Sequence, residues 1–243
     1  FGRAAVIATF FLTMRLFGKN IALLTTLFFA VSSYAVTISR TAFRANTVPR
    51  FTILTLLFMV KRWQEKDPKK RIWAGIFAGI SFALGFYTYI SFRMMIPLLI
   101  AYKLALLIAY RHQIREFFRE YWKPKLAAGI AFLLTIFPLA YYFFIHPDSF
   151  VGRAGHVSIF SPDLNGGDVA GTFLQVFKTT MLSFFTQGDA NWRHNISEMP
   201  HLSPALSLFF AIGLLIFSLA MCVLLKQLWQ NKINGATVSL ALV

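Results

Sequence analysis

The chain has 243 residues, 57% of them hydrophobic and 14% charged, with a mean hydropathy of +0.62 and a formal net charge of +15. A soluble domain averages roughly 45–50% apolar and about 25% charged residues, so an ordinary soluble enzyme and a disordered chain are excluded. The one cysteine, Cys222, has no partner within the chain, which excludes a disulfide scaffold.

Seven apolar segments follow one another: Ala4–Leu16, Ile21–Ile38, Thr47–Val60, Ile72–Ser91, Met94–Tyr110, Leu126–Ile145 and Leu202–Leu225. The longer ones hold about 20 residues, enough to cross a hydrocarbon core of about 30 Å. They are continuous rather than alternating, so a β-barrel is excluded. The expected fold class is all-α, a polytopic transmembrane helical bundle of about seven segments. The third segment is short and begins at Pro49-Arg50, which suits a tilted or re-entrant helix. Ala4–Leu16 lacks the charged lead and cleavage site of a signal peptide. An apolar stretch is already under way near Phe1 and another opens at Val238, so the chain reads as an internal fragment of a larger protein.

The connections alternate in charge. Arg15, Lys19, the cluster Lys61–Arg71, the cluster Arg111–Lys125, Lys226 and Lys232 give 15 basic residues, against 8 in the other set. Basic loops stay in the cytoplasm, so the first set faces inward and His146–His201 faces outward. The basic excess has this use, and nucleic acid is not an expected partner. Within His146–His201, Asp163–Gly171 reads as a loop. Ala170–Thr186 carries Phe173, Phe177, Met181 and Phe184 at helical spacing and reads as an amphipathic helix at the outer membrane surface, or one packed on the bundle.

Candidate binding residues gather in the outward connections. Arg40 and Arg44 share one face if the second helix continues, and two guanidinium groups can grip a phosphate through paired hydrogen bonds. The plainer reading is two lipid anchors. Tyr87, Tyr89 and Arg93 close the fourth segment, with Tyr89 and Arg93 on one face by their spacing. An aromatic belt with one anchoring arginine accounts for them equally well. Gly75 and Gly79 form a GxxxG pattern that marks close helix packing rather than chemistry. Residues 188–195 form the densest polar cluster, with Asp189, Asn191, Arg193 and His194. Such a set can bind a sugar, a phosphate or a divalent cation; a capped surface turn explains it too. No zinc is expected, because His156, His194 and His201 lack close pairing. Asn195-Ile196-Ser197 matches a glycosylation acceptor, a common triplet. Nucleotide-binding glycine loops and nucleophile elbows are absent.

Leu16-Phe17-Gly18-Lys19-Asn20-Ile21-Ala22-Leu23, Ile38-Ser39-Arg40-Thr41-Ala42-Phe43-Arg44-Ala45 and Gly85-Phe86-Tyr87-Thr88-Tyr89-Ile90-Ser91-Phe92-Arg93 occur in this order, followed by Gly188–Asn195 with Pro200 and Pro204. Together they resemble the middle of bacterial C-type (GT-C) membrane glycosyltransferases. These are relatives of dolichyl-phosphate-mannose protein mannosyltransferases and of the lipid A aminoarabinose transferase. The resemblance implies one transmembrane glycosyltransferase module over residues 1–243, located in the cell membrane. It implies inverting transfer of a sugar from a polyprenyl-phosphate donor to an extracytoplasmic acceptor, be it protein, lipid or glycan. It places the catalytic carboxylate in an outer loop before Phe1, so the catalytic residue here is unknown. Arg40, Arg44 and Arg93 are the candidates for stabilising the departing lipid phosphate. No cofactor is assigned beyond the divalent cation considered above. The alternative is a non-catalytic transporter or flippase of lipid-linked or polysaccharide substrates, which a helix broken at Pro49 would suit.

Overall fold

The computed structural model describes residues 2–40, 44–109, 114–191 and 195–229. Eleven α-helices follow one another there: α1 (Gly2–Phe17), α2 (Lys19–Val31), α3 (Ser33–Arg40), α4 (Val48–Gln64), α5 (Pro68–Phe86), α6 (Met95–Ala109), α7 (Ile114–Ile145), α8 (Pro147–Val157), α9 (Pro162–Asn165), α10 (Val169–Ser183) and α11 (Pro204–Trp229). Two 3-10 turns, Arg44–Thr47 and Ile90–Met94, complete the elements, and no strand occurs among the described residues.

Local chemistry sets several boundaries. Pro68 stands at the start of α5, where its missing N–H costs nothing. Asp67 caps that helix by accepting from Lys69 N at 2.8 Å. Asp168 caps α10 in the same way, accepting from Gly171 N at 2.8 Å. Gly166 closes α9 at φ 53°, a left-handed value that glycine adopts without strain. Ser32 interrupts the second apolar segment with an extended backbone (φ −60°, ψ 121°). The chain bends there by 57° between α2 and α3.

The core is the layer of α4, α5 and α7, with α1 against α4. Gly75 and Gly79 face the backbone of α7 at Pro124 and Ala128, with no room for a β-carbon. Small residues let two helix backbones approach this closely. Farther along, Phe82 stacks on Phe132 at 5.3 Å and Tyr87 donates to the carbonyl of Thr135 at 2.7 Å. These pairs advance together along both helices, so α5 and α7 run parallel. Gly85 in turn lies against the buried ring of Phe92, which seats the turn that follows α5.

The bundle therefore has two distinct ends. At one, Gln64 of α4 donates to the carbonyl of Arg15 at 2.9 Å. Arg71 lies over the ring of Tyr121 at 4.8 Å, and Trp63 stacks on the same ring at 5.1 Å. This basic end carries the Lys61–Arg71 connection. At the opposite end, the start of α1 at Gly2 touches Ser39 of α3, and Arg93 reaches Phe150 of α8.

Each of the seven apolar segments is helical over most of its described length, the fourth leaving its α-helix at Phe86. Two helical stretches are long and apolar enough to cross a membrane, Tyr121–Ile145 and Pro204–Val223, and the bent pair α2–α3 makes a third if it counts as one span. The other four fall short for visible reasons. The helices α1, α4 and α6 have 16, 17 and 15 residues, and α5 carries Lys69, Lys70 and Arg71 in its first turn. Pro49 does not break a helix, contrary to the feature that suited a transporter; it sits in the first turn of α4. The expected loop Asp163–Gly171 includes the single turn of α9 and the start of α10.

Candidate functional site

The candidate residues lie at the end of the bundle opposite the basic one. Arg40 is exposed at the last position of α3. Arg44 opens a separate 3-10 turn and is also exposed. Residues 41–43, which would carry the helix expected between this pair, lie outside the described residues.

Tyr89 and Arg93 are not on one α-helical turn. The helix α5 ends at Phe86, Tyr89 is extended (φ −139°, ψ 154°), and Arg93 belongs to the 3-10 turn after it. Arg93 has a structural engagement of its own. Both of its terminal nitrogens donate to the carbonyl of Phe150 at 3.2 Å, and its guanidinium lies 4.3 Å from the centre of that ring. A fourth arginine completes this end. Arg50, in the first turn of α4, lies over the ring of Phe51 at 5.5 Å, and its Nε is buried without a hydrogen-bond partner. A buried, unpartnered N–H on a cation carries a desolvation cost that an incoming anion offsets.

The described residues 188–191 and 195–203 form a cap at this end. Gly188 N donates to Glu198 O and Glu198 N to Asp189 O, both at 3.3 Å. Asp189 holds an Asx turn, accepting from Asn191 N at 2.8 Å. Asn195 is buried, and its amide donates to the carbonyls of Met199 and Asp189. The side-chain nitrogen of the glycosylation triplet thus lies inside the cap. Gly188 abuts Met199 O and the Asn195 amide. Trp192, Arg193 and His194 lie outside the described residues.

His201 ties the cap to the bundle. Its backbone N–H donates to Ser183 O at 2.9 Å, and its Nδ1 faces Ser183 Oγ at 3.3 Å. Its ring packs on Tyr34 of α3, with centroids 4.3 Å apart. Nε2 is buried and has no hydrogen-bond partner. Burial holds the imidazole below its ordinary pKa, while the negative charge of Asp189 opposes that shift. The ring is therefore neutral near pH 7; Ser183 Oγ donates to Thr180 O at 2.7 Å, so Nδ1 carries the proton towards Ser183 and Nε2 is an acceptor, open to a bound hydroxyl. Among the described residues no three metal-ligating side chains converge.

The family model described as dolichyl-phosphate-mannose-protein mannosyltransferase matches residues 1–142. The chain belongs to that family. Comparisons with curated proteins and with solved structures give no match. Membership makes the protein a membrane glycosyltransferase in general terms. The match spans α1 to nearly the end of α7, and so includes Arg40, Arg44, Arg50, Tyr87, Tyr89 and Arg93. The cap with Asp189, Asn191, Asn195 and His201 lies beyond it.

Sequence reasoning on this mannosyltransferase-family chain missed Tyr34, Arg50, Ser183 and His201 as members of one end. Arg50 carries a readable signal, a cation two residues into a helix in an outward connection. The trio of Tyr34, Ser183 and His201 carries none, because 149 positions separate Tyr34 from Ser183.

Proposed function

We propose that the chain is part of an integral-membrane enzyme that transfers a sugar from a polyprenyl-phosphate donor to an extracytoplasmic acceptor with inversion. The single observation that carries this reading is the family match over residues 1–142. The arrangement of charge agrees with it. The basic end faces the cytoplasm by the positive-inside rule, which puts Arg40, Arg44, Arg50 and Arg93 on the outer side.

In such a transfer the acceptor hydroxyl attacks the anomeric carbon as the bond to the lipid phosphate breaks. A carboxylate takes the acceptor's proton; we assign that base to no residue of this chain. Negative charge grows on the leaving phosphate, and fixed cations at that point stabilise the transition state. Arg40, Arg44 and Arg93 are assigned that role, and Arg50 joins them. Tyr87 and Tyr89 line the approach to the sugar, Asp189 and Asn191 belong to the cap over it, and Arg193 and His194 are assigned to the same substrate. The exposed apolar side chains Phe173, Leu174 and Phe177 of α10 then rest in the outer interface of the bilayer.

The test is transfer by the full-length protein in proteoliposomes. A labelled polyprenyl-phosphate sugar is supplied with membrane extracts as acceptor source. Release of free polyprenyl phosphate with label in a new product supports the reading. Intact donor merely moved between leaflets supports the flippase instead.

A further inference from the structure

A cavity of about 500 Å³ lies between α4, α5, α6 and α7. Three cations line it, Arg62, Lys103 and Lys125, together with apolar side chains such as Met59, Phe82 and Phe132. No carboxylate is among the described residues that line it. We propose that this cavity binds an anionic membrane phospholipid, with the headgroup phosphate among the three cations and the start of an acyl chain against the apolar wall.

The cavity is graded along the helix axes. Arg62 lies in the last turn of α4, and Lys125 lies near the start of the membrane-spanning part of α7. Both are at the basic end, where lipid headgroups sit. Thr55, seven residues before Arg62 and also on the wall, lies about 10 Å deeper at 1.5 Å per residue. Phe132 is deeper still than Lys125 by the same reckoning. Two of the three charges are therefore at the rim, Lys103 enters from the middle of α6, and the rest of the interior is mainly apolar.

The charges of Arg62 and Lys103 act on Lys125. Three cations on the wall of one cavity make its interior electropositive, which favours an anionic occupant. Basic pockets between membrane helices suit phospholipid headgroups for this reason. A free phosphate would gain from the cations but nothing from Met59, Phe82 or Phe132. A soluble sugar phosphate would leave its hydroxyls unpaired against the same wall. A lipid satisfies both halves. This inference rests on the membrane placement of the chain and not on the transfer reaction.

The experiment uses the full-length protein in neutral detergent, with phosphatidylglycerol, phosphatidylcholine, inorganic phosphate and polyprenyl phosphate as separate probes. Native mass spectrometry reads bound lipid and a thermal melt reads stabilisation. Phosphatidylglycerol should bind and raise the melting temperature, and phosphatidylcholine and inorganic phosphate should not. The double variant Arg62→Gln/Lys125→Gln should weaken phosphatidylglycerol by about tenfold or more. Lys19→Gln/Lys66→Gln, at the same end but outside the cavity, should leave it within about twofold. Should the first pair fail to fold, Met59→Trp fills the cavity without removing charge and should block binding equally. Equal binding by the cavity variants overturns the site. Equal stabilisation by inorganic phosphate, or preference for polyprenyl phosphate, overturns the phospholipid assignment. Loss of transfer with phosphatidylglycerol binding intact strikes the proposed function and leaves this site standing.

Discussion

The ring of His201, at the end of the cap, lies 4.3 Å from the ring of Tyr34 on α3. The same imidazole faces Ser183 at the end of α10. One residue therefore joins three separate parts of the chain, and its protonation state bears on whether the cap stays closed. Burial lowers the native pKa of His201, so between the native value and the ordinary value the unfolded chain binds more protons. The contribution of neutral His201 is full above about pH 6.5 and is lost as pH falls through the native value. Proteolysis within residues 186–203, measured at pH 7.5 and pH 5, should accelerate at the lower pH. His201→Gln should flatten that difference. An unchanged pH response in the variant would show that another group controls the cap.

The contact of α5 with α7 gives a second expectation. A β-carbon at Gly75 or Gly79 meets the backbone carbonyl of Pro124 or Ala128. Backbone cannot move aside as a flexible side chain can, so the helices must separate. Overpacking of this kind costs roughly 1–3 kcal/mol per site. Gly75→Leu and Gly79→Leu should each lower the melting temperature in detergent. Gly213→Ala, where a β-carbon meets nothing within 4 Å, should not. If the α5 variants melt with the control, the close approach is not present in the protein.

The apolar runs announce their helices because burial in lipid demands long stretches of one character. The bend at Ser32 was not read, yet a serine pair, Ser32-Ser33, stands there, and such pairs are places where helices kink. Tyr89 and Arg93 were read as helical neighbours because periodicity says nothing of where a helix stops. The stop comes from Phe92, whose buried ring under Gly85 folds the chain into a turn. Asp189 and Asn191 were legible as a polar cluster. Their link to Tyr34 through His201 is tertiary, and no local spacing encodes it.

Sidedness is open to direct labelling. With Cys222 replaced by Ser, a membrane-impermeant thiol reagent applied from outside should reach Asp163→Cys and not Lys66→Cys. Lys66 is the better inner probe, because the neighbouring Asp67 caps α5. Both chosen positions are exposed in the fold, so protection reports the membrane and not burial. The 15 to 8 division of basic residues requires this pattern. The reverse pattern would place the cap in the cytoplasm and remove the outer-face reading with it.

The arginines at the outer end provide the sharpest test of chemistry. If they stabilise a departing lipid phosphate, losing one should cost roughly 2–4 kcal/mol of transition-state stabilisation, by analogy with lost oxyanion donors. That corresponds to about a 30- to 1000-fold fall in rate. The structure separates the three candidates. Arg93 holds the Phe150 carbonyl with both terminal nitrogens, so Arg93→Ala also loosens α8 from the bundle. Arg93→Lys keeps the charge but not the planar fork. Recovery of transfer by Lys without recovery of melting temperature would assign Arg93 an electrostatic role; the opposite result would assign it to packing. Arg40 is exposed at the end of α3, so Arg40→Ala disturbs little else and reads the chemistry most directly. Arg44, exposed in its own turn, is expected to matter least. Transfer from a polyprenyl-phosphate sugar, normalised to folded full-length protein, is the measurement. At least one of Arg40→Ala and Arg93→Ala should fall by about 30-fold or more. If all three alanine variants stay within about threefold of the parent, or about 0.65 kcal/mol, these arginines do not hold the phosphate.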